Sequence, residues 1–248
     1  MTYNFTVSPD FSPDHLSGWF IFNSWVQRQI GDALHLELFD DFESQRKSIK
    51  EGGIDLIYAN PYDAAMLVRE KGFTSLVKPI AKVDEAIIAV HIDSPINKVE
   101  DLQPGVKLVS TDDPDVHMMG MIMLEPADLD SSNIELTKHD SYVLAAKSLL
   151  NGESDVGFFL DEAFNDFSSI IKKQLKPLVS SQIQLVHHCL MIGPALADKK
   201  DVFEKALLSM ADDEKGKGVL DSLGISGFEK VGEEEMEFMI DLVDTLTT

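Results

Sequence analysis

The sequence predicts an α/β fold of two lobes, each a mainly parallel sheet flanked by helices. Three observations carry that expectation. Strand-like and helix-like segments alternate along most of the chain, the pattern of stacked βα units. The alternation restarts in a second unit near "AIIAVHI" at residues 86–92. No low-complexity segment, repeat or flexible linker separates the units, so they are expected to be joined by strands, with a cleft between them.

In chain order, "FTVS" (5–8) is a short apolar run closed by turn residues. Residues 14–30 carry Leu16, Trp19, Phe20, Val26 and Ile30 as a rough helical stripe behind an Asp cap. "LHLELF" (34–39) alternates as a strand does, and "DFESQRKSIKEGG" is a polar helix closed by glycine. "IDLIYA" is a strand, and "PYDAAMLVREKG" a helix with Pro in its first turn and Gly after its last.

The second unit continues through "DSPINKVEDLQPG", the strand "VKLVS", a helix across the Met-rich stretch and "NIELTKH". A helix over 141–150, the turn "NGES" and the strand "DVGFFL" follow. "IQLVHHCLMI" (183–192) reads as a long apolar strand, and the remainder as helical. There, Phe203, Ala206, Leu207 and Met210, and then Met236, Met239, Ile240 and Val243, form core-facing stripes.

A chain of 248 residues, 44% hydrophobic and 26% charged, suffices for one large domain or two modest lobes. Its 43 acids against 21 bases give a net charge of -22, which repels nucleic acid and anionic lipid. No apolar run approaches the roughly 18 residues of a membrane span, so no membrane insertion is expected. The run Glu233-Glu234-Glu235 suits a helix start, where negative charge is favoured. Cys189 is the only cysteine, so neither an internal disulfide nor a thiolate cluster is available. "MTYNFTVSPDF" has no basic segment, long apolar run or small-residue cleavage site. A cytoplasmic location is expected if Met1 is native, a periplasmic one if a signal peptide has been removed.

Four fragments, "EGGIDLIYANPYDAAML", "DSPINKVEDLQPGVKLVSTDDPD", "NGESDVGFF" and "GKGVLDSLGISGFEKV", occur in order over nearly the whole chain. Together they resemble the phosphate/phosphonate-type substrate-binding proteins of ABC transporters, a branch of the type 2 periplasmic-binding-protein fold. The resemblance implies lobe one at residues 1–84 plus 184–248 and lobe two at 85–183, joined by two hinge strands. It also implies a small-molecule ligand in the interlobe cleft, with an ABC transporter permease or a sensor protein as partner. No cofactor, metal or catalytic residue is expected.

The resemblance departs at "STDDPDVHMMGMIML" (110–124). Family members that bind phosphonate or phosphate carry a hydroxyl-rich turn after this Pro, and its hydroxyls and helix-start N–H groups hold the anion. Here Val116, His117, Met118 and Met119 precede Gly120, and Asp112, Asp113 and Asp115 would repel a phosphoryl group. A thioether metal site would need helical spacing, which only His117/Met121 and Met119/Met123 offer; Met as adaptable core filler is the simpler reading. The preferred reading puts Met121 and Met123 in the core or on the lobe face, with Asp115, His117 and Met118 at the cleft edge. Such a cleft favours an uncharged, cationic or amphipathic solute over a bare anion.

The other expected ligand contacts are Phe11, Tyr62, Ser141 and Phe159. Phe11 lies in the loop after the first strand, where the family brings an aromatic to the cleft; it also suits a loop anchor. Tyr62 sits in the first turn of a helix that Asn60 is placed to cap. Ser141 and Tyr142 resemble a second cleft turn, though Asp140 or Ser141 equally suits a helix cap. Phe159 is on the strand that "NGESDVGFF" delivers toward the cleft. His187 and Cys189 share one strand face and His188 the other, too few groups for a metal. Asp115 and His117 alone are a weak acid/base pair, and no nucleophile motif or phosphate-cradling glycine loop is present. A noncatalytic solute-binding protein is therefore expected. The alternatives are a cytosolic dehydratase-like enzyme on the same fold and a degenerate binding domain acting as a sensor or interaction module.

Overall fold

A computed structural model describes residues 2–247, with side chains for 2–245. Unit 1 comprises residues 1–83 and 187–248, and unit 2 residues 84–186. In chain order, unit 1 opens with β1 (Thr2–Val7), α1 (Leu16–Ile30), β2 (Ala33–Leu36) and α2 (Phe42–Lys50). It continues with β3 (Leu56–Ala59), α3 (Pro61–Lys71) and β4 (Thr74–Pro79). Unit 2 holds β5 (Ala86–His91), β6 (Lys107–Ser110), α4 (Pro114–Leu124), β7 (Glu135–Lys138) and α5 (Tyr142–Leu150). β8 (Val156–Leu160), α6 (Asp161–Asp166), α7 (Ser169–Lys172) and β9 (Leu175–Ser180) complete it. The chain then returns to unit 1 for β10 (Cys189–Ile192), α8 (Lys200–Leu208), α9 (Glu214–Ser222), β11 (Phe228–Lys230) and α10 (Glu233–Thr247).

The sheet of unit 1 has the order β11-β4-β10-β3-β1-β2, and that of unit 2 the order β7-β6-β8-β5-β9. β1 pairs in parallel with β2 and β3, and β6 with β7 and β8. Into each parallel set comes one reversed central strand: β10 between β3 and β4, and β5 between β8 and β9. Both sheets are therefore mixed, yet most strands of each point the same way, as expected of mainly parallel sheets. The strands flanking each reversed strand still point the same way, which is why the βα periodicity was the dominant signal.

Local chemistry sets the helix ends. Gly31 and Gly72 close α1 and α3 in the left-handed conformation, where a Cβ would be strained. Asp41 caps α2 by accepting from the Ser44 N–H at 2.7 Å. The stripes of α8 and α10 are core-facing: Phe203, Leu207, Met236 and Met239 are all buried.

Alternation along the strands divides the core of unit 1. Phe5, Val7, Leu56 and Tyr58 pack with Trp19, Phe22, Phe203 and Leu220 on one face. Ile57, Ala59, Cys189 and Met191 pack with Leu67, Met236 and Met239 on the other. In unit 2, Phe158 meets α4 at Gly120, where an added Cβ would lie 2.4 Å from the ring, so glycine is needed for that approach. Phe159 points the other way, into a cluster with Val109, Ala146, Leu149, Phe164 and Phe167.

Four expectations change. The strand read over 183–192 is confined to Cys189–Ile192, because the preceding residues carry no regular ladder. The C-terminal part is not all helical: Phe228–Lys230 pairs with β4 as an edge strand. "TSLVKP" and "LKPLVS" are strands β4 and β9, although each holds a proline that weakens the strand signal. On α1 the buried side is Trp19, Phe22, Trp25 and Val26, while Leu16 and Phe20 are exposed.

Candidate functional site

Both units gather polar side chains at the carboxyl ends of their parallel strands, the edge at which open α/β sheets bind ligands. In unit 1, Ser8 follows β1, Asn60 follows β3, and His188 precedes the antiparallel β10, where Cys189 pairs with Ala59. These three positions therefore share one edge. The Asn60 side-chain oxygen caps α3 by accepting the Asp63 N–H at 2.8 Å. Its amide nitrogen donates to Ser8 Oγ at 3.0 Å and to Asp63 Oδ2 at 2.8 Å. Arg46 completes the set with two bonds to the buried Asp63 carboxylate, of 2.5 and 3.2 Å.

The chain of bonds continues outward from Ser8. Asp10 Oδ2 lies 3.0 Å from His188 Nε2, and the His188 ring stacks on Tyr58 with centroids 5.3 Å apart. Burial pushes the Asp10 carboxyl upward, but the His188 charge and hydrogen bond, with the Ser8 hydroxyl, hold it below its ordinary value. The Ser8 hydroxyl also bonds the Asp10 carboxylate. Phe11 is half-buried against the unit 1 core. Tyr62 is half-buried with the Arg46 guanidinium 4.8 Å from its ring centre.

In unit 2, β6 ends at Ser110 and α4 begins at Pro114, with Asp113 as its N-cap. Asp113 Oδ1 accepts the N–H groups of Asp115 and Val116 at 3.0 and 3.1 Å. The His117 N–H goes to the Asp113 carbonyl at 3.1 Å, and Pro114 has no N–H to offer. The free N–H groups with which a helix start holds an anion are therefore engaged by the chain itself. Asp113 Oδ2 accepts the Tyr142 hydroxyl at 2.7 Å, which ties the start of α4 to that of α5. Ser141 caps α5, accepting the Leu144 N–H at 3.3 Å.

His117 is half-buried, its ring centre 6.4 Å from that of Phe158, and its Nδ1 makes no hydrogen bond to a described residue. Burial, and then the positive charge of Lys138, push its pKa below 6.5. Asp115 and Met118 are buried, whereas Met121 and Met123 are half-buried. Met119 is fully enclosed, with its sulfur 3.7 Å from Ser181 Oγ. Phe159 has 0% exposure and faces the α5 side of the sheet, so its ring offers no surface to a solute.

Of the sequence-derived candidates, Asp115, His117 and Ser141 gather at the helix starts of unit 2, and Phe11 and Tyr62 belong to the strand-end edge of unit 1. Sequence reasoning missed Asp113 as the residue that saturates α4, although Asp before a first-turn Pro is a cap signature. It also missed the Ser8–Asp10–His188 chain, whose members are far apart in sequence and carry no common motif.

Two mixed α/β units, each with a polar network at its strand ends, define a solute-binding protein of the periplasmic type. A family model described as ABC transporter, phosphonate, periplasmic substrate-binding protein matches residues 5–236, and the chain belongs to that family. Among solved structures, PhnD1 from Prochlorococcus marinus in complex with methylphosphonate superposes with a TM-score of 0.82 at 11% identity, covering 99% of this chain and 98% of that one. A Xanthomonas citri protein bound to ATP gives 0.83 at 14% identity, with 99% and 98% covered. The periplasmic aliphatic sulphonate binding protein SsuA from Escherichia coli gives 0.69 at 14% identity, with 99% and 91% covered. A comparison with curated proteins finds no match. At these identities the structural likeness establishes the fold. No described helix is long and apolar enough to cross a membrane.

Proposed function

We propose that this chain is a noncatalytic solute receptor, partnered by an ABC transporter permease, whose ligand is uncharged or cationic and not a phosphonate. The observation that carries this reading is the Asp113 carboxylate. It accepts two N–H groups at the start of α4 and the Tyr142 hydroxyl. A phosphoryl group arriving there would meet a negative charge and lack the donors that hold it. In this reading the half-buried His117 and Ser141 form the solute-facing part of unit 2, with the buried Asp115 supplying negative charge beside them and Phe11 and Tyr62 as candidate contacts on unit 1. Met118 and Phe159 serve as core.

The test is a thermal-shift and calorimetric series with methylphosphonate, phosphate, choline and putrescine. Binding to the native state raises its apparent stability in proportion to the logarithm of ligand over Kd. The reading expects saturable stabilisation by a neutral or cationic solute and none by the two anions. Micromolar binding of methylphosphonate would overturn it, and turnover of a bound solute would overturn the noncatalytic assignment.

A further inference from the structure

The exposed side of α1 is unlike that of a solvated helix. Phe20 and Ile21 are 52% and 48% exposed, on consecutive positions of a chain with a strongly charged surface. With Trp25 and Val219 they line a groove of about 510 Å³ between α1 and α9, both in unit 1. The charged residues lining the groove are Arg28 and Lys215, both bases, in a chain with twice as many acids as bases.

Glycine gives an independent sign. α9 contains Gly216 and Gly218. A Cβ on Gly216 would lie 2.1 Å from the Met210 carbonyl oxygen, so close packing explains it. A Cβ on Gly218 would meet nothing within 4 Å. A helix interior disfavours glycine relative to alanine, and no neighbour in the fold requires it at this position. Gly218 lines the groove, and its missing side chain keeps the groove open.

We infer that this groove binds a free single-chain amphiphile with an anionic head, its tail on Phe20, Ile21, Trp25 and Val219 and its head between Arg28 and Lys215. Charge complementarity selects this occupant. A second copy of the chain would bring another net charge of -22 and, across a two-fold axis, the same cations. An extended anionic membrane surface would meet the excess of acids around the groove as well, whereas a single head group is held by the two bases that line it. The site is separate from the strand-end networks and does not depend on the solute proposed for them.

The test is calorimetric titration with dodecanoate below its critical micelle concentration, beside dodecyltrimethylammonium at the same concentrations. Saturable binding of dodecanoate alone is expected, with quenching of Trp25 fluorescence. Arg28→Glu with Lys215→Glu, two surface changes that leave the core intact, should weaken it roughly tenfold. Gly218→Leu should abolish it by filling the groove. Gly218→Ala should raise Tm by about 2–4 °C, because no packing opposes the better helix former. Equal binding of the cationic amphiphile, or dodecanoate binding unchanged in Gly218→Leu, would overturn the inference. So would a Gly218-dependent dimer in sedimentation, cosedimentation with anionic vesicles, or a protein helix that competes for the groove while dodecanoate does not bind.

Discussion

In unit 1, α3 opens with Asn60-Pro61; in unit 2, α4 opens with Asp113-Pro114. The backbone problem is the same in both, since a helix start leaves N–H groups unpaired and Pro removes one of them. Asn60 solves it with an amide, whose oxygen caps the helix while its nitrogen donates to Ser8 and Asp63. Unit 1 therefore keeps an alternating chain of donors and acceptors, with the Asp63 carboxylate balanced by Arg46. Asp113 solves it with a carboxylate that only accepts, and it recruits a phenol for its second oxygen. One atom of difference between amide and carboxylate thus separates a through-connected network from a saturated helix start. That difference bears directly on which solute unit 2 tolerates.

The largest effect is expected on the unit 1 side. Arg46→Ala leaves the buried Asp63 carboxylate without its cation and should cost about 3 kcal/mol in urea unfolding. Asp63→Asn in the same background should recover much of that loss. No recovery would mean that Arg46 acts through its contact with Tyr62 instead. In unit 2, Asp113→Ala removes the cap and should cost about 2 kcal/mol. A loss no larger than that of an ordinary surface change would remove Asp113 from its structural role. Tyr142→Phe deletes one donor to that carboxylate and should cost about 1 kcal/mol, without altering the Asn60 network. The smallest effect concerns pH. The His117 pKa is lowered by burial and then by Lys138, so the unfolded chain binds its proton more readily than the folded one. Stability contributed by neutral His117 is full above pH 6.5 and declines as pH falls toward the lowered folded value. His117→Gln should flatten the acid limb of a plot of Tm against pH.

Much of the architecture was legible because it rests on local signals. The Pro-started and Gly-ended α3, the polar α2 and the stripes of α8 and α10 declare themselves through periodicity and caps. β4, β9 and β11 were not legible, because two of them hold a proline, at the end of β4 and inside β9, and the third has only three residues. α1 misled because its apolar residues cover both the core side and the exposed side, so periodicity alone assigned Phe20 to the wrong face. At the candidate site, the departure at 110–124 was visible in sequence as a loss of hydroxyls and a gain of acids. Its mechanism was not, since it depends on the carboxylate turning back onto its own helix and meeting a phenol 29 residues away. Phe159 illustrates the same limit. Neighbouring strand residues face opposite sides, and which side faced α5 required the packed structure.

Glu235 joins the legible and the illegible in one residue. The acidic run Glu233-Glu234-Glu235 reads as a helix start, and it forms the first turn of α10. Yet Glu235 also pairs with Lys78 and lies 3.0 Å from His187 Nε2, a tie between distant segments that no spacing reveals. Burial raises its carboxyl pKa, but the Lys78 hydrogen bond and the His187 charge outweigh that and leave it below the ordinary value.

The central claim is that Asp113 occupies the place of an anion at the start of α4. Calorimetric titration of methylphosphonate into the wild-type chain and Asp113→Asn, at matched low ionic strength, tests it most directly. Asn keeps the oxygen that caps the helix, as Asn60 does in unit 1, while it removes the charge and puts an amide N–H donor where the second carboxylate oxygen accepted. The account predicts no heat of binding for the wild type and measurable binding for Asp113→Asn. Micromolar binding by the wild type, unchanged in the variant, would contradict it.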